Sequence, residues 1–213
     1  SHISIIKDFL KDDCEYLAVM EDDVLLDPEF NFRKMTAFMD ICEVDYLKMY
    51  ARFLIPAEFI HFIDRTVIYR AKWPPLGTQL YILSKGGARL LVEKFSLSGL
   101  YAPIDHMMDR YWNTGLPIVL AYPFPAMELA FPSMIHQGKK DLHIRNTQLK
   151  KEMGGTFDWW QKTAESTKRH IADRRLRAYD IELKRKIREN KAKLRAIYAE
   201  LDMANRQRLE LLS

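Results

Sequence analysis

The chain holds only two cysteines, Cys14 and Cys42, in 213 residues. Neither lies in a CxxC spacing, which excludes a cysteine zinc site and a disulfide framework and fits a reducing compartment. No apolar run approaches the roughly 20 residues that a membrane span requires. Ser1 to Leu10 has neither a basic start nor a long apolar middle, so no signal peptide is legible. Glycine and proline are absent from residues 156–213. An initiator methionine is also missing, and Ile3 to Leu10 already reads as a helix in mid-fold, the pattern expected of a fragment.

What is present supports a real core: 48% of the residues are hydrophobic. Two regions are expected. Residues 1–153 alternate helical and strand-like patterns, with Gly154-Gly155 as the joint, and residues 156–213 form a charged helical or coiled-coil extension. In the first region, helices are expected over 4–11, 28–41, 85–95 and 103–113. Strands are expected over 15–20, 45–50, 66–71, 78–83 and 117–122. Pro28 and Pro103 suit first helical turns, and Ser84 suits an N-cap. This alternation favours an α/β sheet with flanking helices.

The most informative segment is Tyr16-Leu17-Ala18-Val19-Met20-Glu21-Asp22-Asp23-Val24. A short apolar run, expected as a buried strand, ends in three consecutive carboxylates. Acids there sit at the carboxyl edge of an open α/β sheet, where such folds place ligands. They repel one another unless a positive group intervenes. Mg2+ or Mn2+, shared between carboxylates and substrate phosphates, is one solution. A solvated turn before the next helix is the other.

From Trp159 to Ser213, fifteen basic side chains face eight acidic ones, an excess larger than the net +4 of the whole chain. Leu183, Ile187, Asn190, Leu194, Ile197, Leu201 and Ala204 recur at alternating spacings of four and three, a heptad seam with one polar position. Three readings stand: a homo-oligomeric coiled coil or a helix packed back on the first region, a basic helix on an anionic membrane, and a solvated charged helix. Interleaved acids and bases, without a recognisable module, argue against nucleic acid.

Four segments, taken together, resemble glycosyltransferase family 25, the group of bacterial lipopolysaccharide and lipooligosaccharide glycosyltransferases and the related collagen galactosyltransferases. They are Ser1-His2-Ile3-Ser4, Tyr16 to Val24, Gly77 to Ala88 and Pro103-Ile104-Asp105, in the family's order. The resemblance covers about residues 1–137 and lacks the family's first strand-helix portion, which forms much of the nucleotide floor.

The resemblance implies a GT-A (Rossmann-like) nucleotide-diphospho-sugar transferase fold, N-terminally incomplete, with a long C-terminal helix. It implies transfer of a hexose from a UDP-sugar to a glycan or lipid-linked saccharide acceptor such as a lipopolysaccharide core. A divalent cation would stabilise the departing diphosphate as a Lewis acid. Glu21, Asp22 and Asp23 are the expected metal or donor ligands, with His136 as a late histidine ligand. Asp105 is the candidate base for inverting transfer, a helix cap being the alternative. Thr78, Gln79, His106 and Asp109 are candidate substrate contacts. For Gly86, Gly87 and Ala88 close packing is favoured over ligand contact. Trp73 and Trp112 suit either stacking on sugars or simple burial. The expected site of action is the cytoplasm, peripheral on the inner membrane. The competing reading is a truncated, non-catalytic glycan-binding or assembly module.

Overall fold

A computed structural model describes residues 2–52, 55–128, 173 and 175–210. In chain order the elements are α1 (His2–Phe9), β1 (Tyr16–Met20), β2 (Val24–Leu26), α2 (Phe32–Cys42), β3 (Tyr46–Lys48), β4 (Ala57–Ile63) and β5 (Thr66–Ala71). Then follow β6 (Leu80–Ser84), α3 (Lys85–Ser98), α4 (Ile104–Met108), α5 (Tyr111–Thr114), β7 (Val119–Tyr122) and β8 (Ala126–Glu128). Two C-terminal helices complete the fold: α6 (residues 175–189) and α7 (Lys191–Glu210), which meet at Asn190. Among the described residues no helix is long and apolar enough to cross a membrane. His136, the Gly154-Gly155 joint and the start of the basic tail lie outside the described residues.

Six strands form one sheet in the order β1-β6-β3-β7-β5-β4, and β2 pairs with β8 in a separate ribbon. Only β3 and β7 run parallel; the other neighbours are antiparallel. Helices cover both faces. Along β6, Leu80 and Ile82 face the cluster containing Phe38 and Met39 of α2, while Tyr81 and Leu83 face the cluster containing Ile6, Ala88 and Leu91. This two-residue alternation, apolar on both sides, is what a central strand between two helical layers requires.

The helix ends follow local chemistry. Asn31 caps α2 by accepting from the Lys34 amide at 3.2 Å. Ser84 caps α3 by accepting from the Gly87 amide at 3.0 Å and donates to Asp45. A Cβ on Gly87 would lie 2.6 Å from the Asp45 backbone oxygen, so glycine is what lets α3 approach the sheet this closely. The close-packing expectation for the 86–88 block therefore has a direct geometric basis. The single helix expected over 103–113 is two short pieces, α4 and α5, broken at Asp109 and Arg110.

The expected burial of β1 needs correction. Only Val19 is buried, while Ala18 and Met20 are exposed. The strand stands at the end of the sheet and pairs only with β6 among the described residues.

Part of the C-terminal seam packs inside the chain, while Ile197 and Leu201 are half-buried and Ala204 is exposed. Leu183, Ile187 and Leu194, joined by Tyr198, are buried in the same cluster as Phe38, Met39 and Cys42 of α2. Ion pairs pin the helices at several turns: Lys186 to Glu43, Lys184 to Glu58 (3.0 Å), Asp202 to Lys34 (2.6 Å) and Asp180 to Arg70 (2.6 Å). Apolar burial supplies the stabilisation and the charges fix the register.

Candidate functional site

Strand β1 delivers Glu21 to the junction of β1 and β6, where the Glu21 amide donates to the Gln79 carbonyl at 3.0 Å. The carboxylate is held from two sides. Thr78 Oγ1 donates to Glu21 Oε1 at 2.5 Å, and His2 Nε2 lies 3.4 Å from the same oxygen. His2 Nδ1 is in turn 3.0 Å from the Tyr81 hydroxyl. The His2 contact holds the Glu21 carboxyl below its ordinary value, against burial, with the Thr78 bond adding to it.

Two residues on, Asp23 is in the opposite condition. Its Oδ1 is buried without a hydrogen-bond partner. Burial, then the charges of Glu21, Glu128 and Asp22, push its carboxyl up. Glu128 arrives through the β2–β8 ribbon, in which Val24 pairs with Glu128. Tyr50 donates to Glu128 at 2.6 Å and Arg52 lies 3.8 Å from it. Asp22 is exposed.

A second group of residues comes from the loop before β6 together with α4. Gly77 has φ +81°, and a Cβ there would lie 2.5 Å from Gln79 Oε1 and 2.8 Å from the Tyr50 ring, so only glycine fits without displacement. Its amide points at Asp105 Oδ2, 3.4 Å away, while Asp105 Oδ1 accepts from the His106 amide at 2.8 Å. Asp105 is half-buried and is not the N-cap; Pro103 holds that position without a side-chain bond. Lys48, on β3, is wholly buried. Its ammonium is 2.6 Å from Asp109 Oδ2 and 3.2 Å from the Leu76 carbonyl. Burial pushes Lys48 down and Asp109 up, and each limits the other's shift; Asp105 and Glu21 also favour the lysine's charged form.

The expected contacts sort accordingly. Glu21 lies against Gln79 and acts on Asp23, and both Glu21 and Asp105 act on Lys48, with His106 half-buried beside Asp105. Gln79 Oε1 is buried and unpartnered, which leaves it able to meet a ligand. Thr78 spends its hydroxyl on Glu21. Asp109 is corrected from a substrate contact to an interior support, because it is 0% exposed and both its oxygens are engaged by Lys48 and Tyr46. Sequence reading missed Lys48, His2 as a partner of Glu21, and Glu128. A lysine inside the apolar run Tyr46 to Tyr50 is a readable anomaly. Glu128 carries no local signal, since strand pairing alone brings it here.

The sequence matches the family model "Glycosyltransferase family 25 (LPS biosynthesis protein)" over residues 1–108. The chain belongs to glycosyltransferase family 25. No curated protein matches it. The matched residues span Glu21, Lys48, Gly77 and Asp105, so most of this neighbourhood falls within the family's own region. A family 25 glycosyltransferase has to bind a sugar donor and a glycan acceptor, which calls for two openings around one reacting centre.

Whether a divalent cation suits this site follows from its donors. Among the described residues no three His, Cys, Asp or Glu side chains converge to hold an ion by themselves. Asp23, however, offers a buried oxygen without a proton donor, in an excess of negative charge. That matches a cation of the Mg2+ type, which typically takes one or two carboxylates and completes its shell with substrate phosphate oxygens and water.

Proposed function

We propose that this site transfers a hexose from a UDP-sugar to a glycan acceptor of the lipopolysaccharide core type, with inversion, on a GT-A-type fold. The observation that carries the reading is Asp23's unpartnered buried oxygen, set among the charges of Glu21, Glu128 and Asp22. Asp23 and Glu21, with Asp22 at the rim, would hold Mn2+ or Mg2+. Such an ion, when bound, would neutralise charge growing on the diphosphate.

The chain's own residues do the remainder. Thr78 and His2 fix the Glu21 carboxylate before substrate arrives, so no reorganisation is needed during reaction. Arg52, half-exposed beside Glu128, is the available cation for a phosphate oxygen. Asp105 takes the acceptor hydroxyl proton while the acceptor oxygen bonds the anomeric carbon. The bond from that carbon to the diphosphate oxygen breaks, and UDP leaves with the electron pair. The Gly77 amide keeps the Asp105 carboxylate oriented.

The test is calorimetric titration of UDP with and without Mn2+, alongside UDP-sugar turnover. Binding that needs Mn2+ and is lost in Asp23→Ala supports the reading. Folded protein that binds no UDP under either condition overturns it and leaves the non-catalytic glycan-binding module.

A further inference from the structure

Tyr81, which no step of the proposed transfer uses, is wholly buried within β6. In register it stands between Val19 of β1 and Lys48 of β3. It packs in the cluster that contains Ile6 and Phe9 of α1. His2, Ile6 and Phe9 are spaced by four and then three, so His2 stands one turn before Ile6 on the same face of that helix. This face brings the imidazole to the Tyr81 hydroxyl, which lies 3.0 Å from His2 Nδ1, with the ring centroids 5.9 Å apart. Burial, with the charge of Glu21 adding to it, pushes the Tyr81 pKa up, so the hydroxyl keeps its proton. Among the described residues His2 Nδ1 is the acceptor that this proton finds. A ring nitrogen that accepts carries no proton, so in the neutral imidazole the proton is on Nε2. Nε2 lies 3.4 Å from Glu21 Oε1, the same oxygen to which Thr78 Oγ1 donates at 2.5 Å. Among the described residues nothing donates to Glu21 Oε2.

We propose that Tyr81 is a positioning residue: it holds His2 in the Nε2–H tautomer, and His2 with Thr78 then commits Glu21 Oε1 to the protein and leaves Oε2 as the one oxygen offered to a ligand. That this ligand is a divalent cation rests on the transferase reading above. The opposite tautomer fails at both ends of the imidazole. It would set an N–H against the Tyr81 O–H, leaving a buried hydroxyl without an acceptor. It would also turn the Nε2 lone pair toward a carboxylate oxygen, where like partial charges repel. With Oε1 held from two sides the carboxylate cannot swing to offer both oxygens. A single fixed oxygen suits a cation of the Mg2+ or Mn2+ type, which demands near-ideal geometry and takes few protein ligands. Groups that orient a metal-binding side chain in this way are worth about 10–100-fold in metal affinity.

The tautomer is read without any ligand, from the imidazole nitrogen chemical shifts of the whole chain at mildly alkaline pH. His2 is identified as the ring whose signals vanish in His2→Gln. The expected wild-type ring has a protonated Nε2 and a bare Nδ1. Tyr81→Phe, which keeps the aromatic ring and removes only the hydroxyl, is expected to show a mixture with the Nδ1–H form. Two further variants separate reach from packing. Glutamine sets its amide nitrogen where Nε2 stands, and asparagine sets its own where Nδ1 stands. Titration with Mn2+ in the presence of UDP is expected to show binding weakened about tenfold in Tyr81→Phe and His2→Asn, and only about twofold in His2→Gln. A role confined to helix packing would move both His2 variants alike. An Nδ1–H ring in the wild type, a tautomer unchanged by Tyr81→Phe, or equal losses in His2→Gln and His2→Asn overturns the proposal. A wild type that shows the expected tautomer but binds neither Mn2+ nor UDP overturns the transferase reading instead, and leaves the positioning of Glu21 by Tyr81 and His2 standing.

Discussion

The ammonium of Lys48 lies 2.6 Å from Asp109 Oδ2, and neither side chain has any solvent exposure. The same ammonium reaches the Leu76 carbonyl, so one buried cation ties α4 to the loop that carries Gly77. Replacing it by methionine leaves Asp109 charged and unmatched in the interior. Lys48→Met is expected to lose about 3–5 kcal/mol in urea denaturation, and Lys48→Met with Asp109→Leu to recover most of it. A double variant as unstable as the single one would show that the pair is not what the interior is built around.

Asp23 is a charge kept where the fold gains nothing from it. Its Oδ1 is buried without a partner, and burial together with neighbouring acids opposes its ionisation. Asp23→Asn is expected to lower sugar transfer by on the order of 100-fold or more while leaving the melting temperature equal or higher. A clear drop in melting temperature would assign Asp23 to the scaffold instead.

Gly87 meets the sheet at its closest point. Adding a methyl places Cβ 2.6 Å from the Asp45 carbonyl oxygen, a backbone atom that cannot swing aside. Gly87→Ala should cost about 1–3 kcal/mol by chemical denaturation. Gly86→Ala, where the nearest atom is the Asp45 carboxylate at 3.1 Å, should cost less.

His61 on β4 stacks on Phe38 with ring centroids 6.5 Å apart. Burial, then the charge of Lys191, holds its pKa below the ordinary 6.5. In the window below 6.5 the unfolded chain therefore binds the proton more readily than the folded one. Stability is full above that value and falls as pH drops through it. Melting curves from pH 7.5 down to pH 5.5, values chosen to bracket the roughly 6.5 of a free histidine, should decline more steeply for the wild type than for His61→Phe. Parallel declines would remove His61 from the account.

Leu183 is 1% exposed and packs in the cluster of α2. Leu183→Ala is expected to cost about 2–5 kcal/mol without changing the sedimentation coefficient. A shift in sedimentation would restore the coiled-coil reading of the seam.

Much of the fold was legible wherever a local signal was strong. The strand over Thr66–Ala71 and the helix capped by Ser84 stand where side-chain pattern and capping chemistry place them. Strands β2, β4 and β8 were not anticipated. Two are three residues long, and β4 carries a charge and a histidine among its aromatics, so neither length nor alternation marks them. At the site, the Glu21–Asp23 acids and Asp105 were readable because acids after an apolar run or in a first helical turn are chemically conspicuous.

The sequence by itself determined the family, the acidic turn after β1 and the amphipathic seam of the C-terminal helices, because each is written in residues close along the chain. Tertiary structure decided which of those groups meet. Only folding brings Thr78 and His2 onto Glu21, buries Asp109 on Lys48, sets Glu128 beside Asp23, and lays the seam against α2. The reason is physical: a side chain's pattern declares which face it prefers, but partners separated by tens of residues are chosen by the packing of whole elements.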